Sequence, residues 1–242
     1  MRILRVLPFV SLVLFMLASP GGAQVISDAN VMGIYFDTDA NLYDAPDMAA
    51  GGQINIYLMV TNPTGAQISA WEARVVWDQM GGGFYGSWTL ANGGLNVGDL
   101  NDPMNLLFAV GTGADPIIAT PATILATWSG YWAFGPGSCF YVTHYPGTQS
   151  FPDEQLPGYA VDEYTLVPCC IASGSEDLPV ASFGAGCPGI VLAGCSSDYL
   201  SLTVGQLQQY DEAGQPSPNE ATGRSSLPEE MPQGMSVYSS TA

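Results

Sequence analysis

ISAWEARVVWD, residues 68–78, carries the alternation that decides the fold. Trp71, Ala73, Val75 and Trp77 fall on one side of a pleated strand, and Glu72, Arg74 and Val76 fall on the other. One side is apolar and the other mostly polar, the mark of a half-buried strand. TILATWSGYWAF at 123–134 repeats the pattern, with Ile124, Ala126, Trp128, Gly130, Trp132 and Phe134 on the inward side and Thr123, Thr127, Ser129 and Tyr131 opposite.

Similar short runs occur at Val31–Thr38, Gln53–Thr61, Tyr85–Leu90, Leu106–Val110, Ser138–Tyr145, Tyr159–Val167, Leu178–Phe183 and Tyr199–Val204, separated by Gly, Pro, Asn and Asp. No stretch sustains a 3.6-residue apolar stripe with caps, and 29 Gly and 18 Pro argue against long helices. Many short strands must stack as two sheets to bury their apolar sides. The expectation is an all-β chain, an antiparallel β-sandwich of jelly-roll or related winding with about eight to ten strands.

Arg2 and Arg5 precede an apolar run from Val6 to Ala18, and Gly21-Gly22-Ala23 supplies the small residues of a cleavage site. The run is too short to span a bilayer, so residues 1–23 read as a secretory signal peptide and the protein as secreted or periplasmic. Residues 24–205 then form the sandwich domain. From 206 to 242 the alternation gives way to Gln, Ser, Pro, Gly and Glu, which reads as a disordered polar tail.

Without the signal, the only cations are Arg74 and Arg224 against 22 acidic residues, a formal charge of −20. Such a chain cannot neutralise a row of phosphates and is repelled by anionic headgroups. Nucleic acid and membrane insertion are therefore excluded as partners. Five cysteines, Cys139, Cys169, Cys170, Cys187 and Cys195, suit an oxidising compartment and allow two disulfides with one thiol left over. Adjacent Cys169 and Cys170 point to opposite faces of an extended segment and call for different partners. Cys187 and Cys195 could close a loop across Pro188-Gly189. Zinc is disfavoured, because there is no C-x-x-C pair and His144 is the only imidazole.

Three candidate chemistries remain. Asp37, Asp39 and Asn41 have D-x-D-x-N spacing and are followed by Asp44 and Asp47, an oxygen-rich loop that makes calcium the one cofactor the sequence points to. Leu42 and Met48 stand where an EF-hand loop needs Gly and a bidentate Glu, so the site would be irregular. Asn96, Asp99, Asn101 and Asp102 form a second, weaker loop of this kind. An enzyme is disfavoured: no G-x-S-x-G elbow is present, and the acidic pairs Asp153-Glu154, Asp162-Glu163, Glu176-Asp177 and Glu229-Glu230 each sit on one segment, where they cannot face each other across a cleft. Among the aromatics, Tyr85, Tyr131 and Tyr145 are the candidates for a sugar-stacking surface.

Four segments carry a resemblance: GIYFDTD at 33–39, IYLMVTNPTGAQISAWEARVVW at 56–77, ILATW at 124–128 and LPVASFGAGCPG at 178–189. Together they resemble a class of secreted bacterial proteins without assigned activity that open on a YFDT strand. More loosely, the middle pair resembles cohesin-like β-sandwiches, which implies a non-catalytic recognition module. The expected function is thus a secreted recognition or adhesion module for a glycan or an extracellular protein. A polysaccharide hydrolase and a ligand-free envelope protein are the alternatives. N-terminal sequencing of exported protein should begin at Gln24; a chain that still starts at Met1 overturns both the export reading and the oxidising compartment.

Overall fold

The computed structural model describes residues 26–78, 82–146, 156–162, 165–184, 187 and 190–195. The expected signal peptide, the strand at Tyr199–Val204 and the polar tail lie outside the described residues.

Alternation places the long strands in two stacked sheets. The first contains β1 (Val31–Tyr35), β3 (Gly52–Thr61) and β10 (Ala122–Phe134), with β6 (Gly83–Leu90) at one edge and β14 (Cys170–Ile171) at the other, in the order β14-β1-β3-β10-β6. The second is built on β5 (Ala70–Asp78), the strand whose alternation reads most plainly. On one side β5 pairs with β8 (Asn105–Gly111), which pairs in turn with β7 (Leu95–Asn96). On its other side lie β11 (Gly137–Thr143) and β12 (Gly158–Ala160). Beyond these, β11 leads to β15 (Ala181–Gly184) and β2 (Asp44–Ala45), while β12 pairs with β13 (Leu166–Pro168). A small separate pair joins β4 (Gln67–Ile68) to β9 (Ile117–Ile118).

The all-β sandwich is as expected, but it has fifteen strands among the described residues, because many are ladders of only two or three residues. Pairing is antiparallel except at two edges, where β1 meets β14 and β15 meets β2 in parallel. The expected strand Tyr159–Val167 is a hairpin: Asp162 Oδ1 accepts the Thr165 N–H at 2.7 Å and turns the chain between β12 and β13.

On β5, Trp71, Ala73, Val75 and Trp77 are buried as the alternation requires. On β10 the sequence reading needs correction. The register shifts between Ile124 and Ala126, so Leu125 enters the core and Ile124 turns to the other side. A second shift between Trp132 and Phe134 leaves the Phe134 ring exposed. An extra residue in one strand inverts the inside-outside assignment beyond it.

Aromatic rings fill the space between the sheets. Trp77 of the second sheet meets Trp128 of the first edge to face at 5.0 Å, and Trp132 meets Phe183 at 4.8 Å. Each such contact adds about 1 kcal/mol beyond the area it buries. The Trp128 indole fits because Gly130 and its cross-strand partner Gly86 carry no side chain. A Cβ on Gly86 would lie 2.6 Å from Trp128 Cζ2 and 2.5 Å from the Ser129 carbonyl oxygen.

Two disulfides hold the far end of the chain, Cys139–Cys187 and Cys170–Cys195. The Cys187–Cys195 loop open to the sequence reading does not form. Cys139 lies within β11 opposite Ser182 of β15, the strand that precedes Cys187 in sequence, whereas Cys195 lies by the β1 end and donates its N–H to Asp28 Oδ2 at 3.1 Å. Cys169 is a free, fully buried thiol rather than a disulfide partner, and burial pushes its pKa far above the usual thiol range.

Gly86→Ala should cost about 1–3 kcal/mol in urea unfolding through overpacking against Trp128. A loss under 0.5 kcal/mol would show that the indole moves aside.

Candidate functional site

The first sheet has an outer face, and its register sorts that face into rows running across the strands. Gly33, Met59 and Ile124 align in one row, and Tyr35, Tyr57, Thr127 and Thr89 in the next. Asn55, Ser129 and Ser87 follow, then Gln53, Tyr131 and Tyr85. The first two rows are largely covered, whereas the last two lie open.

The cover is the segment after β1. Ala40 is fully buried and packs with Tyr35 and Met59, joined by Tyr43, Tyr57, Ala122 and Ile124. Ala40 holds φ 56°, an unfavourable conformation for an alanine, with its methyl group buried in this cluster. Asp37 Oδ1 accepts the backbone N–H groups of Asn41 at 2.9 Å and Leu42 at 3.2 Å, and the Phe36 N–H bonds the Leu42 carbonyl at 2.7 Å. Asp44 instead accepts the Ser182 hydroxyl of β15 at 2.6 Å, while Asp39 and Asp47 are exposed. The proposed calcium donors thus part: Asp37 caps a turn, Asp44 ties to the second sheet, Asp39 and Asp47 are exposed, and the Asn41 Oδ1 is buried with no hydrogen-bond partner among the described residues. Among the described residues no group of three or more His, Cys, Asp or Glu side chains is placed to hold a metal ion. In the other acidic loop, Asp99 Oδ1 caps the Asn101 N–H at 2.8 Å and Asp102 Oδ1 caps the Met104 N–H at 3.0 Å, while Asn96 Oδ1 accepts the Ala109 N–H at 2.8 Å. These too are turn and ladder contacts.

On the open part, Tyr85 and Tyr131 stand directly opposite each other on β6 and β10, 64% and 44% exposed. Gln53, Asn55, Tyr85, Ser129, Gly130 and Tyr131 line a shallow hollow of about 410 Å³. With strands ~4.8 Å apart and rows ~7 Å apart, the two open rows span roughly 10 by 7 Å, the size of one to two sugar rings. Every side chain in these rows is uncharged, in a chain whose formal charge is −18. The phenol rings offer flat apolar faces, and the amides and hydroxyls both donate and accept hydrogen bonds.

The structure brings together two of the three tyrosines expected to bind. Tyr145 does not join them: it is half-buried and follows β11 of the other sheet. Beside it, His144 Nδ1 lies 2.5 Å from Glu176 Oε1, which also accepts the His144 backbone N–H at 3.1 Å. That pair ties the end of β11 to the segment after β14. Tyr159 is buried; its hydroxyl donates to Asn30 Oδ1 at 2.6 Å, and burial raises its pKa. Sequence reasoning missed Gln53, Asn55 and Ser87. The available signal was their place two residues apart on strands whose intervening residues, Ile54 and Trp88, are apolar.

No protein-family model matches the chain, and no curated protein matches it. Asp37→Ala should cost about 1 kcal/mol through loss of the turn cap, equally in calcium and in chelator. A loss seen in calcium alone would instead make Asp37 a metal ligand.

Proposed function

We propose that this protein is a secreted or periplasmic, non-catalytic module that binds a neutral glycan on the open outer face of its first sheet. The reading is carried by the Tyr85–Tyr131 cross-strand pair, exposed among side chains that hydrogen-bond without charge. Sugar rings present C–H faces that stack on phenols and hydroxyls that pair with amides and serines. Two disulfides support an oxidising, extracytoplasmic setting, and among the described residues no helix is long and apolar enough to cross a membrane.

The ligand is neutral because of the surroundings. A chain of this charge repels uronates and sulfated polymers at long range. The platform itself carries no carboxylate, whereas glycoside hydrolysis needs two flanking the bond. Binding without bond cleavage is the chemistry these residues support.

Titration with soluble neutral β-glucan, mannan and xylan fragments, set beside an oligogalacturonate, tests the reading. Tyr131→Ala and Tyr85→Ala should each weaken binding about tenfold, about 1.4 kcal/mol, while thermal stability stays within about 0.5 kcal/mol. Unchanged affinity in both variants, or preference for the anionic polymer, overturns the assignment.

A further inference from the structure

Among the described residues, the exposed Tyr, Phe and Trp side chains are Tyr85, Tyr131 and Phe134, and all three stand on the outer face of the first sheet. The first two form the platform. Phe134 joins them through the register shift at the end of β10. Unbroken alternation from Trp128 and Trp132 would send its ring into the core, and the extra residue before it turns the ring outward. Bulges commonly re-aim a side chain in this way beside a binding site.

The side on which the ring lies follows from its seat. The Cα partner of Phe134 on β6 is Gly83, and a Cβ there would lie 2.6 Å from Phe134 Cε1. Gly83 precedes Phe84, whose ring packs between the sheets against Trp77 and Trp132, so Gly83 faces outward. The Phe134 ring therefore covers the outer side of Gly83. It is 58% exposed, nearly as open as Tyr85.

The outer face thus has a third open row. Asn55, Ser129 and Ser87 make the first, which only hydrogen-bonds, and Gln53, Tyr131 and Tyr85 the second, which hydrogen-bonds and stacks. Phe134 over Gly83 makes the third, which only stacks. From Ser87 through Tyr85 to Gly83 the rows run ~14 Å along the strands, room for about three sugar rings in line. Other directions are closed. Across the strands the tyrosine row ends on β6, the edge strand, and the opposite way along the strands the cluster of Tyr35, Tyr43 and Tyr57 is covered.

We propose that the ligand is an unbranched glycan lying along β6 and β10, with its third sugar stacked on Phe134. This deepens the glycan reading and rests on it. The Phe134 ring offers a face and no hydrogen bond, so the sugar above it is held by a C–H face that carries no branch. The hydrogen-bonding rows set where the chain starts, and Phe134 sets how long it must be.

Calorimetric titration with β-1,4-linked oligosaccharides of glucose, mannose and xylose, from disaccharide to tetrasaccharide, tests the placement. In the series that binds, affinity should rise about fivefold from disaccharide to trisaccharide and then level off. Phe134→Ala should abolish that rise, leave the disaccharide within about twofold of its native affinity, and keep the melting temperature within about 2 °C. Phe134→Tyr, which keeps the ring, should keep the rise, whereas Tyr131→Ala should weaken every length. Equal affinity for disaccharide and trisaccharide, or a rise that persists in Phe134→Ala, overturns the placement, while a loss at every length in Tyr131→Ala leaves the glycan reading standing. Absence of binding at any length by the native protein overturns both.

Discussion

The contact on which the rest depends is the Trp128 indole lying across the Gly86–Gly130 pair. It lets a large ring sit against the first sheet and still meet Trp77 of the second at 5.0 Å. Removing two side chains from one face of neighbouring strands creates the room for one very large side chain. The same step sets the outer face, since pleating sends Ser129 and Tyr131 outward on either side of a residue that has no side chain. Core and platform are two sides of one strand, so the platform is held by the packing beneath it.

Polarity divides the outer face in a way charge alone would not suggest. At one end the segment after β1 places Ala40 and Tyr43 over Tyr35, Tyr57 and Met59, and its Asp37 caps its own turn. At the other end a glutamine, an asparagine, two serines and two tyrosines are left open with no carboxylate among them. Acidic side chains keep the molecule soluble, and their absence here makes the site a local exception to the molecule's field.

How much of this is legible in the sequence follows from what sets each feature. On β5, unbroken two-residue alternation gives the buried face residue by residue, because nothing local competes with the pleat. On β10 the same logic fails beyond one inserted residue, as the shift at Leu125 answers to the neighbouring strand and leaves no mark on the alternation. Two-residue ladders such as β2 and β7 are too short to leave a period. The Asp37–Asp47 spacing is real, yet aspartates capping a turn and aspartates gathered round a cation share the same letters. Tyr85, Tyr131 and Tyr145 are equally legible as candidate surface aromatics, while the first two being opposite one another depends on β6–β10 register, which no local pattern encodes. Cysteine pairing depends likewise on which strands lie side by side.

Cys169 has a consequence for how the covalent framework endures. It is one residue from Cys170, whose sulfur is bonded to Cys195, so an attack by its thiolate could in principle exchange one bond for another. Exchange proceeds through the thiolate, and a fully buried thiol whose pKa lies far above its usual range supplies almost none. Folding thus removes the one nucleophile able to scramble the pairs, and the disulfides become kinetically locked once Cys169 is covered.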